Sequence, residues 1–107
     1  MMTDYQLIFS TCPNQAIAEK IAQELVVNHL AACVNIMPQV SSIYRWEGKL
    51  EKTEEWLLLI KAQQHQFQKL ESTIKKLHPY QVPEIIAIPI QQGSADYLKW
   101  LAATTTA

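Results

Sequence analysis

Five side chains in this sequence carry the soft or borderline donors that hold a transition metal: Cys12, Cys33, His29, His65 and His78. Copper favours thiolate and imidazole among protein ligands. None of the short spacings C-x-x-C, H-x-x-x-H or C-x-x-H occurs, so a site must be assembled from separate segments or separate chains. A single imidazole gives only weak binding. Each cysteine also has an ordinary role. Cys33 falls inside an apolar strand pattern, where a buried thiol behaves as a small apolar residue. Cys12 comes just before a helix start, where a thiolate is stabilised and where a small turn residue also fits. No disulfide is expected between them. They fall at opposite ends of strands that run the same way, about 15–20 Å apart.

Other chemistries find little material. There is no G-x-S-x-G nucleophile elbow. Two glycines in the whole chain cannot build a glycine-rich phosphate loop. Glu47, Glu54 and Glu55 read as solvated hairpin charges. No residue set singles out a reaction, so no enzyme is expected. A second constellation is Tyr44, Trp46, Trp56, Lys61, His78, Tyr80 and Glu84. Gathered at a subunit boundary, it makes a cleft with aromatic walls and a few polar groups, suited to a small anionic or metal-bearing ligand. The same residues also make a plain interface core, with Lys61 paired to Glu84.

The elements that position these residues follow from patterning. Residues 5–11 alternate as a strand, with Tyr5, Leu7 and Phe9 on one face and Gln6, Ile8 and Ser10 on the other. Asn14 caps a helix whose apolar stripe is Ile17, Ile21 and Leu25, ending near Asn28-His29. Cys33 to Trp46 reads as a long strand. Val34, Ile36, Val40, Tyr44 and Trp46 share one parity, and Pro38 marks an edge position or a bulge. Glu47-Gly48 turns the chain into a return strand over 54–62. Phe67, Leu70, Ile74 and Leu77 mark a second helix, stopped by His78-Pro79. Residues 85–90 read as a short buried strand. Ser94 caps a last helix with Asp96 in its first turn and Leu98 and Leu101 facing inward. The tail from Ala102 to Ala107 is expected to fray.

The order β-α-β-β-α-β-α predicts an α+β, ferredoxin-like antiparallel sandwich with two helices on one face. The 107 residues make one domain, and 49% apolar with 18% charged residues is a globular composition. A net charge of −1 argues against a nucleic-acid binder. The longest stretch without a formal charge, residues 25–44, is too polar to span a membrane. The start Met1-Met2-Thr3-Asp4 carries no signal-peptide pattern. Two cysteines fit a reducing, cytoplasmic setting. The central hairpin is apolar on both parities, more than one short helix can cover. A closed homo-oligomer hides such a ribbon.

Three segments carry a resemblance. Leu30-Ala31-Ala32-Cys33-Val34-Asn35, the run from Ser42 to Glu51 (SIYRWEGKLE), and His78-Pro79-Tyr80-Gln81-Val82-Pro83-Glu84-Ile85 resemble the CutA divalent-cation tolerance proteins. Gly93, Tyr97-Leu98 and Trp100 fit as well, so the likeness runs from about Thr11 to Trp100. The resemblance implies a ferredoxin-like subunit in a tight homotrimer, similar in architecture to PII signalling proteins. It also implies a non-enzymatic role in tolerance of divalent metals, copper(II) above all. For copper it implies a cysteine ending the first strand and two histidines before Pro-Tyr. Here Ser10 and Leu77 stand at two of those places and only His78 is kept. Cys12, of the same parity as Ser10, is a substitute, and Cys33 is a third candidate ligand. The alternative is a PII-like scaffold trimer that binds a small metabolite in its inter-subunit clefts.

Overall fold

The computed structural model describes residues 3–106. Met1, Met2 and Ala107 lie outside the described residues. Strands β1 (Tyr5–Cys12), β2 (Cys33–Trp46), β3 (Lys49–Gln63) and β4 (Ile86–Pro89) alternate with helices α1 (Gln15–Val27), α2 (Phe67–Leu77) and α3 (Ala95–Thr104). The sheet order is β2-β3-β1-β4, and every pairing is antiparallel. This is the split β-α-β arrangement expected from the element order.

Local chemistry sets the boundaries. Asn14 Oδ1 accepts from the Ile17 N–H at 2.8 Å and starts α1, as its side chain is suited to do. Ser94 Oγ accepts from the Tyr97 N–H at 3.3 Å and starts α3. Glu47 and Gly48 both have positive φ, 51° and 77°. They form a two-residue hairpin turn whose twist matches the flanking strands. The return strand therefore begins at Lys49, five residues earlier than its apolar pattern shows.

One face of the sheet is covered. Ile8, Cys12, Leu58, Ile60 and Ala62 point at Ala18, Ile21 and Leu25 of α1 and at Leu70 and Ile74 of α2, and form one buried cluster. The buried side of β1 is thus Gln6, Ile8, Ser10 and Cys12, not the more apolar Tyr5, Leu7 and Phe9. Those three sit on the opposite face, beside Leu57, Leu59, Ile86 and Ile88. Helix α3 lies across one end of that face, with Leu101 buried. The rest is open in a single chain: Met37 is 48%, Ile86 53% and Ile88 47% exposed. The expectation that β4 is buried is corrected accordingly. It is an edge strand, and all four of its residues are exposed.

The long hairpin is not of one parity. Met37 pairs with Leu57, but Val40 pairs with Glu55. Pro38 and Gln39 together oppose Trp56, and Gln39 takes φ 59°. This is a bulge, and an extra residue flips all later side chains to the other face. Val34 and Ile36 pack against the core, whereas Val40, Tyr44 and Trp46 fall on the open side. Grouping these five on one face is therefore wrong, because the ladder slips at the residue that cannot donate to it.

The tail does not fray over its described length. Thr105 is 1% exposed. Its hydroxyl donates to the Leu101 carbonyl at 2.7 Å and accepts from Gln63 Nε2 at 2.6 Å. Thr105→Val, nearly isosteric, leaves the Gln63 amide without that acceptor. It is expected to lower stability by about 1–2 kcal/mol in urea denaturation at fixed protein concentration. Thr106→Val, at an exposed position, is expected to change it by less than about 0.5 kcal/mol.

Candidate functional site

The loop after α2 folds back on the end of β1. The His78 N–H closes α2 on the Ile74 carbonyl, and Pro79 prevents further helix. The imidazole then makes two bonds. Its Nε2 lies 2.7 Å from the Thr11 carbonyl, and its Nδ1 accepts from the Tyr80 N–H at 3.2 Å. A carbonyl needs a donor and an N–H needs an acceptor, so the proton sits on Nε2. The ring is 8% exposed and lies 4.6 Å from the Tyr80 ring. Both nitrogens are thus engaged in fixing the loop, and neither is turned to a metal.

That loop carries Tyr80 across to β3. The Tyr80 hydroxyl donates to Glu55 Oε2 at 2.7 Å. Glu55 is only 5% exposed, so reading it as a solvated hairpin charge is corrected. It stands on the open-face parity with Leu57 and Leu59, opposite Val40 just past the bulge, and the loop closes over it. Burial raises the Tyr80 phenol well above its ordinary range, and the bond to Glu55 raises it further. Tyr80 therefore keeps its proton and remains a donor.

Between the outer hairpin and the 78–84 loop lies a cleft of about 650 Å³, within the range of small-molecule sites. Tyr44, Trp46 and Tyr80 supply aromatic walls, and Glu55 and Glu84 supply carboxylates. Thr11, Ser42 and Gln81 also line it. Sequence reasoning missed these three and Glu55. The only signal for Glu55 is its parity with the apolar run that follows it.

The remaining predicted residues lie elsewhere. Lys61 sits opposite Leu7 and Cys33, six residues up β3 from Glu55. It donates to Asn35 Oδ1 and does not pair with Glu84. Trp56 packs against the core across from Cys12. Full burial falls on the other cysteine: Cys12 is 0% exposed, and Cys33, expected to be buried, is half-buried at the start of β2. Burial, helped by the nearby Glu55 charge, pushes the Cys12 thiol up to about 11. It is the opposite of an activated thiolate. Ser10 and Cys12 both face the helix-covered core, whereas Cys33 pairs with Lys61 on the other parity. Both thiols are free. Among the described residues, no three His, Cys, Asp or Glu side chains are grouped to hold a metal ion.

Comparison with known proteins bears on the whole chain. Residues 6–104 match the family model described as CutA1 divalent ion tolerance protein. The Divalent-cation tolerance protein CutA of Thermus thermophilus is 48% identical over 100 residues, covering 94% of this chain and 97% of that protein. Human Protein CutA is 45% identical over 97 residues, covering 91% of this chain but 54% of that protein. The chain thus spans about half the length of the human relative. The crystal structure of CutA from Xylella fastidiosa superposes with a TM-score of 0.95 at 42% identity, covering 97% of this chain and all of that one.

The thiol geometry gives two expected outcomes. At pH 8, native protein exposes at most one thiol per chain to a disulfide reagent, denatured protein two, and native Cys33→Ser none. The second concerns pH. The folded Cys12 thiol lies above its ordinary 9.0, so above pH 9 the unfolded chain loses a proton that the folded chain keeps. Stability therefore falls from pH 9 towards 11. Cys12→Ala is expected to flatten that part of the denaturation profile.

Proposed function

The chain belongs to the CutA1 divalent ion tolerance family, and on that footing we propose that it acts as a non-enzymatic homotrimer in tolerance of divalent cations. The observation that carries the assembly is the open sheet face. Leu7, Phe9, Leu57, Leu59, Ile86 and Ile88 form an apolar surface that α3 covers only at one end. A surface of that kind is unfavourable in water, and copies packed around a symmetry axis remove it. A cytoplasmic setting belongs to the same reading. Among the described residues, no helix is long and apolar enough to cross a membrane. The names of relatives point to other compartments as well, with one from Arabidopsis thaliana called chloroplastic.

Imidazole is a good copper(II) ligand, and the reading includes weak copper(II) binding. His78 is its imidazole candidate. Taking a metal on Nε2 costs His78 its bond to the Thr11 carbonyl, and that competition keeps the affinity low. Cys12 and Cys33 are candidates of lower standing, because they face opposite sides of the sheet.

The cleft favours a second reading, a PII-like scaffold that binds a small metabolite where hairpin and loop meet and passes that state to a partner protein. Its preformed walls and convergent polar groups are those of a ligand site rather than of a metal centre.

Two measurements test these readings. Light scattering at micromolar dilution is expected to give three times the mass of one chain. A single-chain mass removes the trimer. In copper(II) titration, His78→Gln is expected to lose the tightest event seen with wild type, whereas equal affinity removes His78 as a ligand.

A further inference from the structure

We propose that the cleft takes an organic ammonium ion, held by the Glu55 carboxylate beside the rings of Tyr80 and Tyr44. The inference rests on the second reading above, that this cleft is a ligand site, and names the ligand's chemical class.

The first observation is an uncompensated charge. A buried carboxylate is costly unless a cation or several donors answer it. Glu55 is 95% buried in this sense, with 5% exposure, and its side-chain hydrogen bond comes from a neutral phenol. Among the described residues the only ion pair is Lys75–Glu71, on α2. Among the described residues, no Lys, Arg or His lines the cleft, while Glu84 adds a second carboxylate. Lys61, which gave the sequence its case for an anionic ligand, bonds Asn35 instead.

The second observation is the wall. Ring faces attract a desolvated cation through their quadrupole, Trp most strongly. Tyr80 bonds Glu55 directly. The Tyr44 hydroxyl reaches back to Thr53, the next residue on the same face of β3. Two rings thus flank the carboxylate, while Trp46 lines the outer end of the cleft. Carboxylate and rings together favour a cation with an apolar body.

A bare metal ion fits less well. Among the described residues no three His, Cys, Asp or Glu side chains are grouped to hold a metal ion, and the imidazole or thiolate that copper favours is not in the lining. A small ammonium compound requires one carboxylate and ring faces, and a volume of about 650 Å³ admits it. The same ammonium chemistry is available from a lysine of another copy, so the test must separate the two sources.

The probes are choline and its uncharged isostere 3,3-dimethylbutan-1-ol, measured by calorimetry on the assembled protein, with light scattering on the same samples. Choline is expected to bind at least about tenfold more tightly than the isostere. Glu55→Gln keeps an acceptor for the Tyr80 hydroxyl and is expected to weaken choline about tenfold or more. Tyr44→Leu, at a position 39% exposed, is expected to weaken it about three- to tenfold without loss of folding. It keeps the proposal testable should Glu55→Gln fail to fold. Equal binding of the isostere, or choline affinity unchanged in a folded Glu55→Gln, overturns the proposal. So does absence of choline binding to protein of trimeric mass, which assigns the carboxylate to a neighbouring copy's cation. Choline binding to protein of single-chain mass supports the proposal and removes the trimer alone.

Discussion

A four-stranded sheet has two faces, and two helices of 13 and 11 residues cover only one of them. Everything else in this molecule follows from how the second face is managed. The helix-covered side is a dense cluster built on Ile8, Leu58 and Ile60. The other side begins with residues as apolar as those in the core, Leu7, Phe9, Leu57 and Leu59, but has only the ten-residue α3 to cover it. That helix is fastened at its far end through Gln63 and Thr105 and through His29 Nδ1 at 3.1 Å from the Thr104 carbonyl. It seals the end of the face near Gln63 and leaves the rest open in a single chain, where Met37, Ile86 and Ile88 are exposed.

The bulge at Pro38-Gln39 gives the hairpin two functions along its length. Before it, β2 supplies Val34 and Ile36 to the core. After it, the same strand supplies Tyr44 and Trp46 to the open side. Without the extra residue, the outer half would present those rings towards the helix layer, far from Glu55 and the His78–Glu84 loop. One residue that cannot join a ladder thus decides whether a cleft exists.

The architecture was largely legible in the sequence, and the site was not. Alternation, helical stripes, two caps and one turn signal suffice for all seven elements, since each depends on nearest neighbours. What failed depends on partners far away in sequence. The alternation in β1 leaves open which of its two faces is buried. Only the placement of α1 and α2 makes Gln6, Ile8, Ser10 and Cys12 the buried set. The parity of Tyr44 and Trp46 is read correctly only once the ladder slip beyond Met37 is known. The burial of Cys12 rather than Cys33 has the same reason. A thiol before a helix N-terminus is activated only if water or a cation reaches it, and Cys12 is sealed beneath the helices. Lys61 and Glu84 have opposite charges and compatible spacing in a list, yet they occupy different ends of the sheet.

The pair Tyr80–Glu55 shows most directly why composition misleads here. Glu54 and Glu55 are adjacent, charged and next to a hairpin, and a sequence reader treats both alike. In the fold, Glu54 is exposed while Glu55 turns under the loop that His78 pins to β1. The imidazole's two hydrogen bonds hold the loop, the loop holds the phenol, and the phenol holds the carboxylate at the base of the cleft. His78 therefore has a structural reason to be present whether or not it ever meets a metal. Its neutral ring must donate at Nε2 and accept at Nδ1 at once, which few other side chains can do in so small a space. The run His78-Pro79-Tyr80 is then as much a description of how the cleft is made as of what enters it.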